Sequence, residues 1–177
     1  MEQQQYINHS GGADGADFYW GSIGEKYGVI SNHYWHGKQT PHGNFEISDE
    51  EFEEGKQAVY EANKTLHRKP ERYMNLLARD YSQVKHSEEV FAISQLDPNG
   101  RVVKGGTGWA VQMAIDNGKI VHLFEQTIGR WFVWLHGNWI LTDTPKLTVN
   151  FAGIGSRDIT PKGIEAIKEV YKETFGY

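Results

Sequence analysis

Thr148-Val149-Asn150-Phe151-Ala152-Gly153-Ile154-Gly155-Ser156-Arg157 leads into Asp158-Ile159-Thr160-Pro161, and the reading of this stretch decides the fold. Residues 148–152 suit a buried strand. The glycine loop that follows lets the chain turn sharply and lets a ligand approach without a Cβ in the way. Thr160 is then the expected N-cap of a helix, Pro161 its first residue, and Ile164, Ile167 and Tyr171 its buried face.

The same grammar recurs twice upstream. Tyr6-Ile7-Asn8-His9 is β-compatible and runs into Ser10-Gly11-Gly12-Ala13-Asp14-Gly15-Ala16-Asp17, with a helix expected through Trp20 and Ile23. Glu89-Val90-Phe91-Ala92-Ile93 reads as a buried strand, followed by Lys104-Gly105-Gly106-Thr107-Gly108 and a helix carrying Trp109, Ala110, Met113 and Ala114. Strands alternating with helices predict an α/β fold with a doubly wound, mainly parallel sheet covered on both faces. Residues 1–177 are expected to form one domain.

The remaining elements fit this frame. Val29-Ile30 opens a second strand, and residues 33–47 read as a loop rich in His, Gly and Pro. Ser48-Asp49-Glu50-Glu51 is a capping box for a helix reaching about Leu66. Pro70 suits the first position of another helix, with Tyr73, Leu76, Leu77 and Val84 at near-helical spacing. Asn117-Gly118 ends the helix after the middle glycine loop, and Ile120 to Phe124 is the next strand. Trp131 to Leu141 predicts an antiparallel hairpin turning at Gly137-Asn138, with Trp131, Trp134 and Trp139 in the core or at a subunit interface.

Each strand–glycine–helix junction offers unpaired N–H groups and a partial positive charge to an anion. In an open parallel sheet these junctions lie together at the carboxyl ends of the strands. One is weak as a signal, since a tight turn needs glycine for itself; three together point to a phosphate-bearing small molecule. Ser10 and Thr107 can donate hydroxyls beside the amides of Gly11, Gly12, Gly105, Gly106 and Gly108, and Arg157 can pair with a phosphate beside Gly153, Gly155 and Ser156. Asp14 and Asp17 better suit ribose hydroxyls, a base or helix capping, and Arg79 helps to orient the ligand. No stretch has P-loop spacing, a clean dinucleotide fingerprint or a serine-hydrolase elbow.

Composition narrows the class further. Lys and Arg number 18 against 23 Asp and Glu, a net charge of -5, which counts against nucleic acid as a partner. There are no cysteines, so thiolate nucleophiles and zinc–thiolate sites are excluded. No apolar run has the ~20 residues of a membrane span, and residues 1–5 show no secretory signal, so a cytoplasmic protein with no membrane partner is expected. His33, His36 and His42 lack the spacing of a metal set, and His33, Trp35 and His36, which follow the second strand, are better read as contacts to a base or ribose. Trp109 has two readings, core packing and stacking on a purine. No cofactor is required, though a nucleotide-containing ligand would serve as one.

The Ser10–Asp17 and Ala152–Arg157 stretches together resemble the SLOG superfamily, the Rossmann-like group that includes the Lonely Guy phosphoribohydrolases and DNA-processing proteins. The unit that usually comes first stands here at the carboxyl terminus, an order similar to the circularly permuted YpsA-like branch, labelled molybdenum cofactor carriers. Arg79-Asp80, Gln83-Val84 and Gly105-Gly106-Thr107-Gly108 also resemble that branch, with Asp80 where asparagine is expected. The resemblance implies a circularly permuted nucleotide-binding domain and a homo-oligomer. It also implies a catalytic glutamate that this chain replaces by Gln112, leaving Asp14, Asp17 or Glu125 as substitutes. The expected function is therefore a sensor, carrier or sequestering protein for a ribose-phosphate ligand, with hydrolysis of an N-glycosidic or phosphate bond as the alternative.

Overall fold

In the computed structural model, which describes residues 4–177, the chain begins with β1 (Ile7–Ser10), α1 (Ala16–Glu25), β2 (Ile30–Trp35) and β3 (Phe45–Glu46). Helix α2 (Asp49–Leu66), a 3-10 turn (Glu71–Tyr73) and α3 (Met74–His86) follow, then β4 (Glu89–Ser94), α4 (Gly105–Asp116) and β5 (Ile120–Glu125). The chain closes with β6 (Arg130–Leu135), β7 (Asn138–Thr142), β8 (Asn150–Gly155) and α5 (Pro161–Phe175). Residues 1–3, part of the stretch read for a secretory signal, lie outside the described residues.

All the strands join one sheet in the order β3-β2-β1-β8-β4-β5-β6-β7. The first six positions in that order run parallel, and β5-β6-β7 is antiparallel. The α/β architecture predicted from the strand–glycine–helix units is the one observed. Strand β4 shows why it is stable. Val90 and Ala92 pack beneath α2, α3 and α4 with Val59, Leu77, Trp109 and Met113. Phe91 and Ile93 face the opposite side, where α1 and α5 bring Trp20, Ile23, Ile167 and Tyr171. A strand buried on both faces needs a continuous apolar run, and β4 has one.

Several local expectations are refined. Thr160 caps α5 by accepting the Gly163 N–H at 3.1 Å, with Pro161 at the helix start. Ser48 accepts the Glu51 N–H at 3.1 Å, but the Glu51 carboxylate takes Ser82 and His86 instead of returning to the cap. Pro70 precedes the 3-10 turn, so the helix starts at Met74. The hairpin turns one residue earlier than predicted, on His136 and Gly137, whose φ values of 50° and 80° make the two-residue turn that matches strand twist. Part of the 33–47 loop is strand. Tyr34 and Trp35 pair with Phe45 and Glu46, so their β preference outweighs the flanking Gly and Pro signals.

Trp131 is buried against Phe124, and Trp134 meets Trp139 edge-on at 5.0 Å beside the α4 core. Trp109 is also buried in that core, the first of its two readings. No helix among the described residues is long and apolar enough to cross a membrane.

The sheet opens where β1 and β8 part. They pair only at Ile7↔Asn150 and Asn8↔Phe151, after which β8 stays with β4. Backbone groups freed by this parting still need partners. The buried Asn8 side chain accepts the Gly153 N–H at 3.0 Å, and the Trp20 indole donates to the Ile154 carbonyl at 3.2 Å. Asn8→Ala would leave a buried N–H unsatisfied. It is expected to lower unfolding stability by about 1–3 kcal/mol, read from the urea midpoint.

Candidate functional site

The parting of β1 and β8 makes a crevice at the carboxyl ends of the central strands. The chain also switches faces here, since β1 leads to α1 on one side of the sheet and β4 to α4 on the other. Ligand sites in open parallel sheets form at such a switch point.

The three glycine stretches converge there but play different parts. In the first, the Gly12 N–H goes to Ser10 Oγ at 3.0 Å, the Ala13 N–H to Asp17 at 3.4 Å, and the Ala16 N–H to the Ser156 carbonyl at 3.0 Å. These amides are spent inside the protein. Gly15, at φ 83°, lies so close to the third stretch that a Cβ would come within 2.5 Å of the Ser156 and Arg157 carbonyl oxygens. Loops 11–15 and 155–157 are thus one packed unit.

Helix α5 begins beyond that unit and is sealed by Thr160, whose own N–H donates to Gln126 at 2.7 Å. Helix α4 differs. No side chain caps it, and among the described residues the amides of Gly105, Gly106 and Thr107 have no hydrogen-bond partner. Arg68 holds this open end by donating to the Gly105 and Val103 carbonyls at 2.9 and 3.0 Å. Of the three helix starts expected to attract an anion, α5 is capped by Thr160, and α1 has no side-chain cap but gives its first amide to the Ser156 carbonyl. Helix α4 alone keeps its first three amides unpaired among the described residues.

A cavity of about 420 Å³ fills the crevice. On its wall stand Gly105, Gly106 and Thr107 from α4, with Gly155, Ser156 and Arg157 across from them. Asp14, Asp17 and Arg79 complete the predicted residues it gathers. Ser10, Gly11, Gly108 and Gly153 stand behind it. Ser10 is fully buried beneath its loop, which corrects its expected role as a hydroxyl donor to phosphate. Gly11 underlies Arg79, Gly108 abuts the Val103 carbonyl, and Gly153 sits within β8 under Trp20, where a Cβ would be 2.5 Å from the indole. Packing, and not the ligand, requires glycine at 108 and 153. Gly12 opens on a neighbouring cavity instead.

The crevice floor is acidic and poorly solvated. Burial raises the Asp17 carboxyl to about 7, and the Asp80 charge pushes the same way against the Ala13 amide and Arg79. Burial raises Asp80 to about 6, opposed by Arg79, whose Nη2 lies 3.6 Å away. Arg79 Nε is buried without a partner. Asp80, Gln83 and Lys104 are wall residues that sequence reasoning did not place in the site. For Asp80 and Gln83 the signal was present on α3, where they follow helical spacing with Leu76 and Arg79 into its inward side.

Other candidates fall elsewhere. The Gln112 amide donates along α4 to Asp116 at 2.9 Å, away from the cavity. Glu125 is buried and accepts the Leu96 and Thr127 amides at 3.1 and 2.7 Å, a structural use that removes it as a substitute acid. His36 pairs with Asp49 at 2.8 Å, while His33 and His42 line the neighbouring cavity. Among the described residues no three His, Asp or Glu side chains group to hold a metal ion. Comparison of the chain with protein-family models, curated proteins and solved structures finds no match.

Proposed function

We propose that this protein binds a nucleotide-derived ribose-phosphate ligand in the crevice between β1, β8 and β4, as a sensor, carrier or sequestering protein. The observation that carries this reading is the uncapped start of α4 facing Arg157 across one cavity, with the Asp17–Arg79–Asp80 cluster on its floor. Free amides and a guanidinium suit phosphate oxygens, and carboxylates suit ribose hydroxyls. The likeness of the glycine motifs to the SLOG superfamily points the same way and carries with it a circularly permuted chain and a homo-oligomer. Arg157 is exposed, so Arg157→Ala is expected to leave the melting temperature unchanged. By calorimetric titration it is expected to weaken nucleotide binding roughly 10- to 100-fold. Unchanged affinity would remove Arg157 from the site.

One observation favours a second reading, hydrolysis of an N-glycosidic or phosphate bond. Asp17, raised to about 7, stands at the cavity wall with the protonation balance of a general acid. Release of free base from a nucleoside monophosphate, abolished in Asp17→Asn, would support that activity. An intact nucleotide after prolonged incubation supports binding alone.

A further inference from the structure

The crevice does not end at this cavity. A second cavity of about 550 Å³ continues from it past Ala13, Asp14 and Asp17, which line both. A third, of about 600 Å³, continues the other way past Lys104, Gly105 and Gly106. The charges along this path are unequal. The charged side chains lining the third cavity are Arg68, Lys69 and Lys104, with no carboxylate. The second is lined by Asp14, Asp17 and Glu25, with no Lys or Arg.

The second cavity also offers apolar surface, with Phe18 and Ile30, 58% and 51% exposed, across its mouth. His33 contributes a buried Nδ1 that has no hydrogen-bond partner, and burial lowers its pKa, with His42 and Arg79 adding to the effect. A neutral imidazole nitrogen can donate to or accept from a heterocycle according to its tautomer. The Asn44 amide is held in place by the His33 N–H at 2.7 Å and the Ser31 carbonyl at 3.0 Å. On the α1 side Glu25 is the carboxylate that lines this cavity and not the crevice.

We propose that the crevice holds its ligand with a fixed polarity, phosphates at the open start of α4 beside Lys104 and an amine-bearing heteroaromatic base between Phe18 and His33, with Glu25 accepting from the exocyclic amine. This deepens the nucleotide-binding reading and rests on it. Glu25 is the carboxylate that belongs to the second cavity alone, Asp14 and Asp17 being shared with the crevice, whereas the third cavity carries cations and no carboxylate, so phosphate is drawn to the α4 end. The ribose then spans the shared wall, within reach of Asp14 and Asp17. The opposite orientation would stack the base on Tyr73, one face of which the Arg72 guanidinium already covers at 5.5 Å from its centroid.

The test titrates AMP, IMP and ribose 5-phosphate into the wild-type protein and into Phe18→Ala, Glu25→Gln and Tyr73→Ala. All three substituted positions are exposed, so folding is preserved. AMP is expected to bind roughly 10-fold tighter than IMP, whose keto oxygen faces the carboxylate, and Glu25→Gln to erase most of that preference. Phe18→Ala is expected to weaken AMP about 10-fold and leave ribose 5-phosphate unchanged, while Tyr73→Ala changes neither. Equal affinity for AMP, IMP and ribose 5-phosphate would overturn the base site and leave the phosphate site standing. Loss of AMP binding in Tyr73→Ala with none in Phe18→Ala would reverse the polarity. No binding of any of the three would overturn the nucleotide reading and this inference with it.

Discussion

Gly15→Ala is expected to destabilise the protein by about 2–5 kcal/mol, while Gly106→Val shifts the urea midpoint by no more than about 0.5 kcal/mol. Both residues belong to glycine stretches that look alike in the sequence. At Gly15 the backbone is left-handed, and an added Cβ would strike the Ser156 and Arg157 carbonyls at 2.5 Å. The strain of positive φ adds to a clash with backbone that cannot move without separating β8 from the first loop. At Gly106 φ is unexceptional and no atom lies within 4 Å of a new Cβ. The valine side chain occupies the cavity and covers the amides of α4. Loss of stability in the first variant, and loss of nucleotide binding at wild-type stability in the second, separate the glycines that build the crevice from those that serve a ligand.

Asp17→Asn is expected to stabilise the protein at pH 8 by about 4 kcal/mol and to change stability little at pH 4. Asp17 has its folded-state value raised from 3.8 to about 7, chiefly by burial and next by Asp80. A raised carboxyl binds its proton more tightly in the folded state. Its contribution is therefore fully present below the unfolded value and lost as pH rises from near 4 through about 7. Asp80, raised to about 6, acts in the same direction over a narrower window. The buried His9, its pKa lowered by burial, acts oppositely and costs stability as pH falls through 6.5. The difference between wild type and variant reports Asp17 together with its coupling to Asp80. Urea midpoints taken from pH 4 to pH 8 should diverge steadily, and parallel profiles would mean that Asp17 is solvated.

The fold was legible because its signals are local. Val90–Ile93 reads as a buried strand, Thr160-Pro161 as a helix start and Ile167/Tyr171 as an inward face, and each depends on residues a turn or two apart. The site was legible in part. Residues 105–107 and 155–157 do meet across one cavity, as three convergent junctions imply. What the sequence could not separate is a glycine that clears space for a ligand from one that clears space for Trp20 or for the Val103 carbonyl. The partner that fills the space is distant along the chain. The same limit hid the fate of the amides. Nothing near Ala16 announces that Ser156, 140 residues later, takes its N–H. Helical spacing on α3 turns Asp80 inward, but its role comes from burial beside Asp17, a partner that spacing does not name. Strand β2 ran past its predicted end because Gly37, Pro41 and Gly43 weigh on a window that also holds Tyr34 and Trp35.

Calorimetric titration of nucleoside monophosphates and diphosphates into the wild-type protein and Gly106→Val tests the central claim most directly. The account predicts saturable one-site binding to the wild type and none to the variant, with both proteins melting alike. Absence of binding by every nucleotide in the wild type, or equal binding by Gly106→Val, would contradict it.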